Sequence, residues 1–255
     1  MREVQGVGAE NHCRGALISA GMSAAVGGMS RSRTSAGGDR PKGAAKGCNA
    51  SILGVKIGVV SDTHGFFDTR LEQLLAGVEL ILHAGDVGKQ EVLDDLQRIA
   101  PVRAVRGNVD APQLALPLSI ILNLGETPSC GGIKSSLFKV ELFHQLPVPQ
   151  AALEKWANQP EVEADAARGR DALLRRFDQS TRVVIFGHSH VPSAVALGGK
   201  LFFNPGSAGK QRFSLPRCCG VLDVSAKGVE ATILSLQRYN RKLPVKVWLP
   251  AGGRQ

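Results

Sequence analysis

From residue 56 onward, short apolar runs alternate with segments in which apolar residues recur every three or four positions. Lys56–Val60 reads as a buried strand. Asp68–Ala76, with Leu71, Leu74 and Leu75 on one side, reads as a helix that Asp68 caps. Glu79–His83, Gln90–Ile99 and Val102–Val105 continue as strand, amphipathic helix and strand. This βαβαβ order predicts parallel pairing with right-handed crossovers. Leu118–Leu124 and Leu137–Phe143 flank a Gly/Pro/Ser segment and predict a hairpin with a long loop. Asp165–Phe177 has a helical period, and Arg182–Phe186 is a further buried strand. Ala194–Leu197, Leu201–Phe203, Gly220–Val224 and Val229–Leu236 are strands between glycine turns, which predicts a second, antiparallel sheet packed on the first. Gln145–Glu163, rich in Pro, Gln and Ala, reads as a loop or cap beside the ends of the strands.

The polar residues that end these runs are of one chemical kind. Asp62-Thr63-His64 follows the first strand, Gly85-Asp86 the second and Gly107-Asn108-Val109-Asp110 the third. His144 follows Val140–Phe143, and Gly187-His188-Ser189-His190 follows Val183–Phe186. Carboxylate, amide oxygen and imidazole are donors for borderline-hard divalent cations, and seven of them exceed the needs of one ion. Two metals sharing a carboxylate fit the count. Asp86 is the expected bridge, because a charge at the end of a hydrophobic strand is costly unless it is paired or metal-bound. Two imidazoles one residue apart, His188 and His190, can reach different ions from one loop. Asn108 brings an oxygen without negative charge. His83, inside its strand, reads as a packed histidine or one that supports the ligands from behind. Asp110 reads as a supporting or turn carboxylate.

At 255 residues and 43% hydrophobic content, the chain suits one domain plus a tail. Residues 1–50 hold ten of the 30 glycines and too little large apolar surface to offset the entropy of ordering. Their Arg- and Ser-rich, acid-poor composition fits either a transit peptide or a disordered extension without an address. The expected division is therefore an extension over 1–50, a domain over 51–245 and a C-terminal tail over 246–255. No stretch has the length and apolarity of a membrane span.

The formal net charge is +9, of which the first fifty residues carry +4, leaving +5 in the body. A modest excess favours anionic ligands without choosing among them. No basic run interleaved with aromatics appears, so nucleic acid is expected as a substrate at most. Five irregularly spaced cysteines without CxxC fit reduced thiols, with adjacent Cys218 and Cys219 on opposite sides of a strand. A soluble intracellular protein is expected, in the cytoplasm or, with a transit peptide, in a plastid or mitochondrion.

Taken in order, the donor clusters resemble those of the calcineurin-like metallophosphoesterase superfamily. The short body resembles its small bacterial and archaeal phosphodiesterase branch, as does Asn204-Pro205-Gly206-Ser207 with Arg212 shortly after. The resemblance covers roughly residues 56–236. It implies a mixed α/β, four-layer αββα sandwich with two central sheets and a dinuclear centre at the strand ends. Carried over position by position, Asp62, His64, Asp86 and His190 would hold one ion, and Asp86, Asn108, His144 and His188 the other. The resemblance implies Mn²⁺ first, with Fe²⁺, Ni²⁺ or Zn²⁺ as alternatives, and hydrolysis of a phosphate ester by a metal-bridging hydroxide without a protein nucleophile. Asp86 and Asn108 would take part in the chemistry, and Asn204 would support the metal loops or touch substrate.

Two features depart from the family pattern. Val109-Asp110 replaces the His-Glu that larger members use near the leaving group, which gives Asp110 a candidate acid role. Gln145 follows His144 where glycine is usual, leaving a hairpin-end histidine as the other reading of His144. The competing function is a non-catalytic scaffold on the same fold, like the retromer subunit resembling this branch; such a scaffold tends to lose the donors that are all present here. Oligomeric state is left open by the sequence.

Overall fold

The computed structural model describes residues 54–127, 135–159, 163–212, 214–237 and 245–251. The expected N-terminal extension and the Gly/Pro/Ser segment at 128–134 lie outside these residues. Two mixed sheets carry the fold. The first has the order β11-β10-β9-β1-β2-β3, with β1 (Val55–Val60), β2 (Leu80–His83), β3 (Val102–Ala104), β9 (Cys218–Ser225), β10 (Gly228–Ser235) and β11 (Val245–Pro250). The second has the order β4-β5-β6-β8-β7, with β4 (Ser119–Thr127), β5 (Ser135–Phe143), β6 (Thr181–Ile185), β7 (Ser193–Leu197) and β8 (Lys200–Asn204).

β1–β3 pair in parallel, as the βαβαβ pattern requires, and β4–β5 form the antiparallel hairpin. Two expectations are corrected. The late strands do not form one sheet: β7 and β8 pair antiparallel in the second sheet, whereas β9 pairs antiparallel with β1, so β9–β11 extend the first. The expected C-terminal tail at 246–255 supplies most of β11, whose Leu249 is buried against β10.

Three apolar clusters separate four layers. Ile57, Val59, Leu82, Phe138, Val140, Ile185, Phe203 and Leu222 fill the space between the sheets. The opposite face of the first sheet is covered by α1 (Arg70–Leu74) and α2 (Gln90–Gln97), through Leu71, Leu75, Val92, Leu93 and Leu96. The opposite face of the second sheet is covered by α3 (Gln150–Asn158) and α4 (Ala164–Arg175), through Leu153, Trp156 and Leu173. α3 corrects the reading of 145–163 as irregular. Its apolar stripe is narrow, Leu153 and Trp156 three residues apart, and Pro149 opens the helix where a missing N–H costs nothing. Asp68 does cap α1, its Oδ1 accepting the Arg70 N–H at 3.0 Å. Cys218 and Cys219 are both buried, Cys218 between the sheets and Cys219 under the helices.

Candidate metal centre

β1, β2 and β3 are parallel neighbours and end at one edge, so the loops after them emerge together. From the first sheet these loops bring Asp62, His64, Asp86 and Asn108. The second sheet brings His144 from the end of β5, and His188 and His190 from the loop after β6. All seven sequence-predicted donors meet in one place.

On one side, His64 Nε2 and His190 Nε2 face each other at 3.2 Å, His190 Nε2 is 3.3 Å from Asp62 Oδ1, and His64 Nε2 is 3.8 Å from Asp86 Oδ2. On the other, Asn108 Oδ1 lies 2.9 Å from His144 Nε2 and 3.0 Å from His188 Nδ1, and His144 Nε2 is 3.4 Å from Asp86 Oδ1. Asp62, His64 and His190 form one group able to hold a cation, and Asp62, Asp86 and His144 a second.

The donor chemistry fits metal. Asp62 Oδ1 is buried without a hydrogen-bond partner, although its residue is fully enclosed. An ionised oxygen in that position is costly unless a cation meets it. His144 Nδ1 lies 2.8 Å from the Ala84 carbonyl, which it can reach only as an N–H donor. In the neutral ring the Nε2 lone pair then points at Asn108 and Asp86, where only a proton or a cation relieves the contact.

Electrostatics at the centre follow from burial and these contacts. Burial opposes the charged form of His144, but the Asp86 carboxylate and Ala84 carbonyl outweigh it and push the imidazole above its ordinary value. Burial likewise opposes ionisation of Asp86, yet the hydrogen bonds from His144 and the Val109 N–H hold its carboxyl below the usual range. His64 is pushed down by burial and then by the charge of Arg212.

The backbone is bent to deliver these groups. Asp62, His64, Asp86, His188 and His190 all have positive φ, between 49° and 68°. Among the described non-glycine residues only Ala115 shares this conformation. Side chains avoid it unless the surroundings impose it, at about 1–3 kcal/mol each. Backbone N–H groups lock the loops: Asp62 donates to Gly85 O, His64 to Asp86 O and Gly187 to His144 O. Gly187 lets two loops touch, since a Cβ there would overlap Ser61 Oγ and fall 2.7 Å from Asp62 Oδ2.

The remaining candidates stand around the centre. His83 is fully buried behind it, with Nε2 2.9 Å from Thr63 Oγ1. Asn204 Nδ2 lies 3.0 Å from each of Gly187 O, Ser189 Oγ and Gln150 Oε1, a brace for the His188–His190 loop rather than a group facing substrate. Asp110 is turned to the backbone: its Oδ1 accepts the Gly88 N–H at 2.7 Å and its Oδ2 the Gly107 N–H at 2.8 Å. Each oxygen accepts one backbone N–H, so Asp110 clamps two loops together, the arrangement of a supporting carboxylate, at the edge of the cavity beside Asn108.

Sequence reasoning missed several supports. Ser61 Oγ donates to Asp62 Oδ2 at 2.6 Å, the His188 N–H to the same oxygen at 3.1 Å, and Ser207 Oγ to Asp62 O at 2.9 Å. Gln150, at the start of α3, accepts from Ser189 Oγ at 2.6 Å. Ser61 and Gln150 carry no signal in a single sequence, because Ser and Gln are common in loops; Ser207 does stand in the Asn204-Pro205-Gly206-Ser207 segment. No thiol competes for the chemistry among the described residues, since burial pushes Cys218 and Cys219 up to about 12.

Two cavities open beside the centre, one of about 410 Å³ lined by Arg106, Asn108, Leu118, Phe143 and His144, the other of about 350 Å³ lined by Leu146, Pro147, Phe186 and His188. Gln145 borders both. A larger one of about 810 Å³, walled by Glu154, Asn158, Ser193 and Val247, lies away from the donors. No helix of the described residues is long and apolar enough to cross a membrane.

Residues 55–227 match the model of the calcineurin-like phosphoesterase superfamily domain. A probable metallophosphoesterase of Methanothermobacter thermautotrophicus is 30% identical over 188 residues, spanning 70% of this chain and 91% of that protein. Another from Methanocaldococcus jannaschii is 31% identical over 177 residues, spanning 66% and 73%. Among solved structures, Vps29 from Chaetomium thermophilum in complex with a cyclic peptide superposes with a TM-score of 0.54 at 18% identity, over 78% of this chain and 99% of that one. Wild-type Vps29 from Entamoeba histolytica complexed with Zn²⁺ gives 0.52 at 20% identity, over 78% and 100%. The structural likeness carries the fold; the sequence matches carry the family. The chain therefore belongs to the calcineurin-like phosphoesterase superfamily, as a metal-dependent hydrolase of phosphate esters.

Proposed function

We propose that this protein is a phosphodiesterase working at a dinuclear centre, with Asp62, His64, Asp86 and His190 around one divalent ion and Asp86, Asn108, His144 and His188 around the other. The observation that carries the reading is the position of Asp86, whose Oδ2 faces His64 and whose Oδ1 faces His144. One carboxylate thus addresses both halves of the donor set. When bound, a pair of such ions polarises phosphoryl oxygens and lowers the pKa of coordinated water toward neutrality. Mn²⁺ is the ion of first choice, with Fe²⁺, Ni²⁺ and Zn²⁺ compatible with the same donors.

The chain's own residues supply the setting. Asp62 and Asp86 bring two negative charges, and Asn108 adds an oxygen that leaves room for an anionic ester. The Ala84 carbonyl orients His144, and Asn204 and Gln150 fix the loop that carries His188 and His190. Cavities on both sides of Gln145 favour a diester, which carries two organic arms where a monoester carries one.

The test combines metal analysis with hydrolysis of bis(p-nitrophenyl) phosphate and p-nitrophenyl phosphate, with and without Mn²⁺. Two equivalents of metal and a higher kcat/KM for the diester are expected. Asp86→Asn should lose metal and lower diester turnover by more than about a hundredfold, since even supporting groups around a metal are worth 10–100-fold. A monoester preference or a single equivalent would overturn the proposal. Full metal loading with neither ester hydrolysed would favour the scaffold reading instead.

A further inference from the structure

One cation, Arg106, lines the cavity on the Asn108 side of the centre; more stand on the His64 side. Beyond His64 the chain passes through Gly65 and Phe66, and three cations from two loops gather over this short segment. The Lys89 stem lies against Gly65, with Cγ, Cδ and Cε 3.0, 3.2 and 3.3 Å from where a Gly65 Cβ would stand. Lys210 Nζ is 5.8 Å from the centroid of the Phe66 ring. Arg212 lies two residues further along the same loop. All three cations are exposed, and none has an ion-pair partner among the described residues.

Isolated solvated lysines are ordinary. Three cations at the rim of a phosphate-ester site, none of them ion-paired among the described residues, are not. Asp62 and Asp86 point into the centre, and Asp68 is held by Arg70 and Arg217 at 2.5 and 2.6 Å. Arg217 shows the contrast: it too lies over Phe66, at 5.2 Å, but its guanidinium is engaged by Asp68, Ala208 O and Gly209 O. Arg217 holds the fold together; the charges of Lys89, Lys210 and Arg212 are met by no carboxylate among the described residues.

We infer that the substrate carries a second phosphate group, bound by Lys89, Lys210 and Arg212 on the His64 side while the scissile ester sits at the donor cluster. This rests on the phosphoesterase reading and names its substrate class. A phosphate brings a charge of about −2 and three acceptor oxygens, which one Arg fork and two Lys ammonium groups match. Phe66 already carries two cations over its ring and is not a bare platform for a base, so recognition on this side reads charge.

The probes are thymidine 5′-(p-nitrophenyl phosphate) and the same ester carrying a 3′-phosphate, which differ by the one group in question. With the Mn²⁺-loaded protein, kcat/KM should favour the 3′-phosphorylated ester by about tenfold, the order expected for charge-assisted pairing. In the triple variant Lys89→Gln/Lys210→Gln/Arg212→Gln the ratio should fall to about one. Calorimetric titration of thymidine 3′,5′-bisphosphate against thymidine 5′-monophosphate reads the same preference without turnover. Pentathymidylate with a 5′-phosphate, titrated alongside, tells a small bisphosphorylated ligand from the end of a polynucleotide by which of the two loses more affinity in the variant. Equal treatment of the paired ligands by the unmodified protein, or a ratio that the triple variant leaves unchanged, overturns the inference. A tenfold binding preference with neither ester hydrolysed would instead sink the phosphodiesterase reading and leave the second-phosphate site standing.

Discussion

His83 gives the most quantitative test of the buried layer behind the centre. Thr63 Oγ1 donates to Val87 O at 3.0 Å, so its oxygen accepts from His83 Nε2–H, and His83 Nδ1 is left buried without a partner. Charging the ring would add a proton at Nδ1 with nothing to receive it. Burial accordingly pushes the imidazole from its ordinary 6.5 down to about 4. Because the folded value lies below the unfolded one, the unfolded chain binds more protons between these limits, and stability falls as pH drops through the window. At 1.36 kcal/mol per pH unit the full loss from this group is about 3 kcal/mol, with about 2 kcal/mol of it between pH 7.0 and pH 4.5. Urea unfolding of the metal-free protein and of His83→Leu at those two pH values isolates the effect, since the acids common to both cancel in the comparison. The unmodified protein should lose about 2 kcal/mol more than the variant on acidification. Equal losses would show that His83 is protonated or solvated in the folded state, and the account of the buried layer would be wrong.

Three further outcomes are expected. Gly187→Ala should lower stability by about 1–3 kcal/mol, read as a drop in melting temperature, because its methyl group overlaps Ser61 Oγ and forces the two loops apart. Asp110→Asn should cost about 1–3 kcal/mol by setting an amide N–H₂ against a backbone N–H, while the shape of the pH–rate profile stays unchanged; a lost limb of that profile would identify Asp110 as an acid. His144→Ala should reduce bound metal from two equivalents toward one, measured by elemental analysis, and full occupancy would remove His144 from the donor set.

The donors were legible because each ends a recognisable strand, and parallel strands deliver their carboxyl-terminal loops to one edge of a sheet. The αββα layering followed from the resemblance, but the pairing of strands did not follow from periodicity. β9 and β10 alternate buried and half-buried residues in a way that suits either sheet, and only the pairing of Ile57 with Leu222 and its neighbours assigns them to the first. α3 was obscured by the Pro and Gln residues around Leu153 and Trp156. Asp110 was left open between a supporting and a catalytic role because a turn carboxylate and a catalytic one look alike until their hydrogen bonds are known. The left-handed backbone of Asp62, His64, Asp86, His188 and His190 has no sequence signature, since it is imposed by loop contacts between residues far apart in the chain.

The division of donors between the sheets has a mechanical consequence. Asp62, His64, Asp86 and Asn108 ride on one sheet, and His144, His188 and His190 on the other, so cations bound by both sets would act as a rivet through the sandwich. The apolar interior resists separation of the layers but offers little directional resistance to sliding, because dispersion contacts are individually weak and non-specific. Coordination bonds would supply that missing resistance to shear at the one edge where a displacement of an ångström would spoil the alignment of a substrate.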